Sequence, residues 1–151
     1  METGYYASPI GRLKIEVEGN ALIGLELGDW EETGGHSSHS VVRQTCMQLD
    51  EYFAGKRRTF DLPLAPQGTP FQQQVWKALQ DIPYGKTISY AQLAQSVGRP
   101  KACRAVGSAN GKNPIAILIP CHRVINANGK LGGYAYGLTV KKQLLDLEQK
   151  F

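Results

Sequence analysis

The chain has 151 residues, 42% apolar and 20% charged, with a formal net charge of +4. That composition excludes a disordered chain, and the length suits one ordinary domain or two small ones sharing an interface. No apolar stretch reaches the roughly 18 residues needed to span a bilayer, and the start lacks the basic-then-apolar pattern of a signal peptide, so the expectation is an intracellular soluble protein.

In "LKIEVE", Leu13, Ile15 and Val17 alternate with Lys14, Glu16 and Glu18, which predicts a half-buried strand. "GYYAS" precedes it across a Pro9-Ile10-Gly11 turn, and "ALIGLEL" follows as a hairpin partner. "DWEETGGHSSHS" is polar and rich in Gly and Ser, and is expected to be a surface loop. Val42, Cys46, Leu49 and Phe53 share a helical spacing, with Gly55 as the stop. "TFDLPL" predicts one more short strand, and "APQGTP" is the candidate linker. The expected domains are therefore residues 1–65 and 66–151.

The second half reads as helical. Thr69 before Pro70 is a helix cap followed by a proline at the first helical position, and Phe71, Val75, Trp76 and Leu79 form one apolar face. A second helix is capped by Ser89 and ended by Gly98, and a third runs from about Pro100 to Ala109. Two short helices around a tight turn fit a helix-turn-helix. The charge is divided with the domains: residues 1–65 hold 6 Lys+Arg against 10 Asp+Glu, and residues 66–151 hold 11 against 3. A half this basic is a candidate for binding a polyanion, most simply nucleic acid, or is only a solvated face. The third helix carries small residues, Ala102, Ala105, Gly107, Ser108 and Ala109, and only Lys101 and Arg104 are long. Such a face suits the narrow minor groove with one arginine projecting; tight helix packing explains it equally.

In "PIAILIPCHRVINANGKLGGY", five consecutive apolar residues predict a short buried strand or core segment that ends at Pro120. Cys121 stands at its end, as a nucleophile, a metal ligand or inert packing. His122 is adjacent in sequence, but neighbours on an extended segment point to opposite faces, so the two need a turn or an intervening water to cooperate. The three cysteines, Cys46, Cys103 and Cys121, include no CxxC pair, which argues against a disulfide framework and a cysteine-rich zinc site.

The longer pattern narrows the choice. "PCHRVI", the downstream "GGY", the terminal "LLDLE", and "GTPFQQQVWKALQDIPYGKTISYAQLA" with "RAVGSANGKNP" resemble the O6-alkylguanine-DNA alkyltransferase family of direct-reversal DNA repair proteins. The resemblance is close over about residues 45–148 and looser before them. It implies an α+β protein, with a ribonuclease H-like α/β domain followed by a helical, winged helix-turn-helix DNA-binding domain. It implies transfer of an alkyl group from O6 of guanine in duplex DNA to Cys121 after base flipping, with O4 of thymine as a second candidate position. A thioether product has no easy route back to a thiol, so one turnover per protein and no cofactor are expected.

The resemblance also assigns residues. Cys121 is the alkyl acceptor. His122 lies against Glu148, with a water between the imidazole and the thiol. Tyr90 donates a proton toward the leaving guanine and presses on the flipped nucleotide, and Asn113 braces the turn before the active-site loop. Arg104 fills the gap in the base stack, and the DNA-contact set is completed by Lys101, Ala102, Ala105 and Arg123. Pro114, Val124, Gly132, Gly133, Tyr134, Ala135 and Tyr136 are the implied base pocket; Tyr136 stands where some relatives have glycine, and either narrows that pocket or points to solvent. The partner is double-stranded DNA read in the minor groove, with no membrane, and the protein is expected to be a monomer, cytoplasmic in a prokaryote or nuclear in a eukaryote. Some relatives bind zinc; Cys46, His36 and His39 are too few for a closed site, so no metal is expected. The competing readings are a DNA-lesion sensor without chemistry and a cysteine hydrolase built on Cys121 and His122. Cys103, on the third helix, has no assigned role.

Overall fold

The computed structural model describes residues 1–31 and 37–151. The chain divides into two compact units, one of residues 1–67, 114–116 and 151, the other of residues 68–113 and 117–150. The first unit thus recovers four residues from far along the chain, which no single boundary provides.

In the first unit, β1 (Glu2–Ser8), β2 (Gly11–Glu18) and β3 (Ala21–Leu27) form an antiparallel sheet in the order β1-β2-β3. The alternation in β2 works as expected: Leu13, Ile15 and Val17 are buried, while Lys14 and Glu16 are not. The helix α1 (Ser40–Phe53) buries Val41, Val42, Thr45, Gln48, Leu49 and Tyr52. Its core face is rotated from the expected one, because Cys46 is only half-buried. Thr45 donates to the Val41 carbonyl, and the Gln48 amide exchanges hydrogen bonds with the Asp61 backbone, so both buried polar residues are satisfied locally. "TFDLPL" does not form the expected strand; only Leu64 pairs, in a single bridge to Leu22. Pro63 interrupts that segment, and proline offers no N–H to a ladder.

His39 caps α1. Its Nδ1 accepts from the Val41 N–H at 3.1 Å, so Nε2 carries the proton and donates to the Gly19 carbonyl at 3.0 Å. His36 lies outside the described residues. Among the described residues no group of three or more His, Cys, Asp or Glu side chains is placed to hold a metal, and no helix is long and apolar enough to cross a membrane.

The second unit is helical. The helix α2 (Pro70–Leu79) starts at a Thr69–Gln72 capping box with Pro70 in its first turn, and α3 (Tyr90–Ser96) starts at a Ser89–Gln92 capping box. Gly98, at φ +73°, makes the left-handed turn out of α3, which glycine adopts without a side-chain clash. The next helix, α4 (Cys103–Gly111), begins three residues later than expected. Residues 99–102 close a turn instead, with the Ala102 N–H on the Arg99 carbonyl. The indole of Trp76 donates to the Ala109 carbonyl at 2.9 Å and ties α2 to α4. A two-residue parallel pair, β4 (Ile88–Ser89) with β5 (Val124–Ile125), and α5 (Leu138–Lys150) complete the unit.

The apolar run before Cys121 is buried but is not a strand. Ile115 makes one bridge to Leu25, and residues 116–118 turn. Ile117 takes φ +71°, a conformation a β-branched residue rarely adopts. It is 2% exposed, so packing holds the strained turn in place just ahead of the cysteine.

Candidate active site

A 3₁₀ turn over Cys121–Arg123 follows Pro120, and all three side chains are buried. The turn removes the extended geometry that would have set Cys121 and His122 on opposite faces. No hydrogen bond joins them directly among the described residues; each meets different partners.

His122 Nε2 lies 2.7 Å from Glu148 Oε2. Arg123 grips the same carboxylate, Nε to Oε1 at 2.8 Å and Nη2 to Oε2 at 3.1 Å, and its Nη1 donates to the Ile82 carbonyl at 2.7 Å. The Gly85 N–H adds a fourth donor to Oε1 at 3.3 Å. Burial alone would raise the carboxyl of Glu148, but the hydrogen bonds from His122 and Arg123, the charge of Arg123 and, in acid, that of protonated His122 outweigh it and bring it down to about 2. An ionised carboxylate only accepts, so His122 Nε2 carries a proton. Burial pushes the imidazole below its ordinary value against the pull of Glu148, so the neutral ring has Nδ1 bare. Nδ1 is buried and has no hydrogen-bond partner among the described residues. The site therefore contains a basic nitrogen in a defined tautomer.

Burial pushes the Cys121 thiol above its ordinary value, while hydrogen bonds from Asn113 and Tyr134 and the positive charge of Lys141 pull the other way. The resting group is a thiol that needs a base. Asn113 also donates from Nδ2 to the Ile119 carbonyl at 2.6 Å, bracing the strained turn.

Lys141 escaped the sequence reading. It is fully buried on the same face of α5 as Leu144 and Glu148. Its Nζ donates to the carbonyls of Val124, Leu131 and Gly133, all within 3.0 Å, and so gathers the loop after β5 around one ammonium. Burial pulls it down to about 8, so it stays mostly charged at neutral pH.

Cys121 opens on a cleft of about 200 Å³, lined also by Tyr90, Gly107, Asn110, Gly111, Asn113, Gly133, Tyr134, Ala135 and Tyr136. One water needs only about 10–15 Å³ of such space, so the cleft has room for far more than a single water. Tyr90, the first residue of α3, is half-buried, and burial with the nearby Cys121 raises its phenol, which keeps its proton. Tyr136 lies at the cleft wall, edge-to-face with Tyr134 at 5.6 Å between ring centroids. Gly132, at φ +70°, shapes the loop beside Tyr90 without lining the cleft.

Four expectations are corrected, that for Gly132 among them. Arg123 is 7% exposed and committed to Glu148 and Ile82, so it is unavailable to a DNA backbone. Val124 is 0% exposed and serves through its carbonyl on Lys141 instead of lining the cleft. Pro114 belongs to the first unit, where its carbonyl accepts from the Leu25 N–H at 2.9 Å. In contrast, Lys101, Cys103, Arg104 and Ala105 are exposed at the start of α4, with Ala102 partly so. The sequence reading missed Gly107, Asn110 and Gly111, whose i, i+3, i+4 spacing along α4 was a usable signal for one shared face.

Two family models cover nearly the whole chain. Residues 1–66 match the ribonuclease-like domain of 6-O-methylguanine DNA methyltransferase, and residues 70–150 match its DNA binding domain. The chain belongs to this family of DNA alkyltransferases. It is 48% identical to the methylated-DNA--protein-cysteine methyltransferase of Methanosarcina acetivorans, over 95% of this chain and 97% of that one. It is 47% identical to the constitutive methylated-DNA--protein-cysteine methyltransferase of Bacillus subtilis, over 96% and 95%. Among solved structures, that of Mycobacterium tuberculosis OGT in complex with DNA superposes with a TM-score of 0.87 at 47% identity, covering 97% of this chain and 92% of that one. The activity class is direct-reversal DNA repair, the transfer of an alkyl group from methylated DNA to a protein cysteine.

Proposed function

We propose that Cys121 is the alkyl acceptor and that the lesion is O6-alkylguanine extruded from the duplex into the cleft. The observation that carries this reading is the buried thiol at an open, base-sized cleft, beside a neutral imidazole whose Nδ1 is bare and whose Nε2 is fixed by an ionised glutamate. The thiol proton passes through one water to His122 Nδ1. The sulfur lone pair forms a bond to the alkyl carbon, the carbon–O6 bond breaks, and its electron pair goes to the guanine ring, which takes a proton from Tyr90; solvent then reprotonates the phenolate and accepts the thiol's proton back from the imidazolium. Glu148 stabilises the imidazolium that results, in the logic of a nucleophile, base and orienting carboxylate. The product is a thioether. A thioether has no easy hydrolytic route back to a thiol, and no second cysteine lines the cleft, so each molecule acts once.

The exposed start of α4 is the DNA face in this reading. Its small residues allow close approach to the minor groove, Lys101 meets phosphate, and Arg104 enters the stack vacated by the base. Extrusion costs a few kcal/mol, and Arg104 offsets part of it. Residues 1–65 and 66–151 act as the two domains, and the protein works as a monomer in the compartment that holds the DNA, cytoplasmic in a prokaryote or nuclear in a eukaryote. The test is intact-mass measurement after incubation with an O6-methylguanine duplex. A gain of one methyl per protein, with no further turnover at excess substrate, supports the reading. Tight binding without mass gain would replace it with a lesion sensor, and repeated ester turnover without DNA with a hydrolase.

A further inference from the structure

Arg123 has no step in the reaction above, yet it takes more of Glu148 than His122 does. Its guanidinium holds both carboxylate oxygens, Nε on Oε1 at 2.8 Å and Nη2 on Oε2 at 3.1 Å, and that second oxygen is the one His122 Nε2 meets at 2.7 Å. The base of the reaction and a permanent cation therefore share one acceptor atom. The fork is held from behind: Nη1 donates to the Ile82 carbonyl, the guanidinium lies over the Tyr84 ring at 5.7 Å, and the Gly85 N–H joins Oε1. Gly85 is tied in turn by Gln149, whose amide donates to its carbonyl at 2.7 Å. Arginine stays protonated in proteins, so this positive charge is present at every working pH.

With the imidazole neutral, the charges of Arg123 and Glu148 cancel. A proton added at Nδ1 leaves one uncompensated positive charge in a buried site, where the Lys141 ammonium already acts on the ring. Without Arg123 the balance reverses: the ring faces a lone carboxylate, and the same proton neutralises a buried charge. The charged groups acting on His122 are Glu148 and Lys141 from α5 and Arg123 from its own turn. The buried residues of α2, which packs on that turn, are Val75, Trp76 and Leu79 and carry no charge. Burial and the two cations together hold the ring below its ordinary 6.5 against Glu148, which favours the imidazolium. A ring already protonated cannot take the thiol proton, however basic it is. We propose that Arg123 is a positioning residue for the base: by occupying Glu148 it fixes the carboxylate on Nε2, keeps His122 neutral, and so sets the lowest pH at which Cys121 is activated. The inference rests on the transfer reaction proposed above.

The experiment measures single-turnover methyl transfer from an O6-methylguanine duplex over about pH 5 to 8, at subsaturating duplex so that the free protein's ionisations are read. The ring nitrogens of His122 are titrated by NMR in the same proteins. In Arg123→Gln, which still donates to the carboxylate but carries no charge, the midpoint of the acid limb and the His122 titration should both move up by at least about one pH unit. Arg123→Met serves the same purpose should the glutamine variant fail to fold. Arg123→Lys keeps the charge and should stay within about 0.3 pH unit of wild type. A merely structural role would lower stability in all three variants and leave both midpoints in place. Midpoints unmoved in the folded glutamine or methionine variant, a lysine variant shifted as far as the glutamine one, or a wild-type His122 that titrates at or above 6.5 overturns the assignment of Arg123 while leaving the transfer reaction standing. Absence of methyl transfer by wild type at every pH overturns the reaction itself, and the His122 titrations then still decide whether Arg123 controls its charge.

Discussion

The two units treat buried polar groups in opposite ways. In the first, Thr45 and Gln48 are the buried polar side chains among the described residues, and each is satisfied by backbone, Thr45 by the Val41 carbonyl of its own helix and Gln48 by the N–H and carbonyl of Asp61. In the second, Asn110, Asn113, His122, Arg123, Lys141 and Glu148 are all buried, and most of their bonds reach across the unit. The first unit's interior follows the ordinary rule that apolar side chains fill a core and polar ones complete the ladders. The second unit buries charge, which is costly unless each member is paired. Two atoms of that network, His122 Nδ1 and Asn110 Oδ1, have no partner among the described residues, and both belong to residues at the cysteine. The difference separates a fold that is merely stable from one whose interior is arranged for a reaction.

Perturbing the network should therefore cost activity far more than equivalent changes in the first unit. The largest effect is expected from Glu148→Gln. A glutamine can donate to Nε2, which shifts the imidazole to the tautomer with a proton on Nδ1 and removes the base. Methyl transfer should slow by about 10²- to 10⁴-fold in single-turnover assays. A variant of undiminished rate would show that the pair is only structural. The carboxyl also has a stability signature: lying near 2 in the folded chain against 4.5 in the unfolded, it stabilises above about pH 4.5, and that contribution is lost as pH falls through 2. Glu148→Gln should flatten acid unfolding over that window.

Lys141→Met comes next. It leaves three carbonyls without their shared donor, and should lower stability by about 3 kcal/mol in denaturant melts. A change below about 1 kcal/mol would mean that the loop after β5 is held by other contacts. The pH dependence of transfer sharpens the comparison further. Neutral His122, with its pKa below the ordinary 6.5, predicts a rate that rises through that lower value and is flat near neutrality. Direct attack by a free thiolate would instead follow a Cys121 pKa above 9.0 and climb about tenfold per pH unit from 7 to 9. The smallest effect concerns Tyr136. Tyr136 lines the cleft; the proposal that its ring competes with a benzyl but not with a methyl group predicts that Tyr136→Gly raises benzylguanine rates by about 5- to 150-fold relative to methylguanine. Unchanged relative rates would remove the gate.

What could be read from the sequence was mostly local. Thr69-Pro70 and Ser89 mark helix starts because capping chemistry acts within three residues, and Leu13, Ile15 and Val17 mark a strand because pleating alternates every residue. The apolar run 115–119 misled because burial and strand periodicity look alike in a short segment; the positive φ at Ile117 turns it instead. The rotated face of α1 has a similar origin, since Val41, Thr45 and Tyr52 share a helical spacing as readily as Cys46 and Phe53. Cys121, His122 and Glu148 came from a family pattern. Arg123, Lys141 and Asn110 are set by partners far along the chain: Arg123 looks like a surface cation until Glu148 and Ile82 are folded against it, and Lys141 until the loop carbonyls converge on it. No local rule reports such pairings.

The central claim is that one buried sulfur in the polar unit does the chemistry. Peptide mapping by mass spectrometry, after reaction with an O6-methylguanine duplex, tests it directly. The account predicts one methyl group on Cys121, none on Cys46 or Cys103, and no transfer in Cys121→Ala although that variant still binds the duplex. A methyl group on either other cysteine, or transfer that survives in Cys121→Ala, would contradict it.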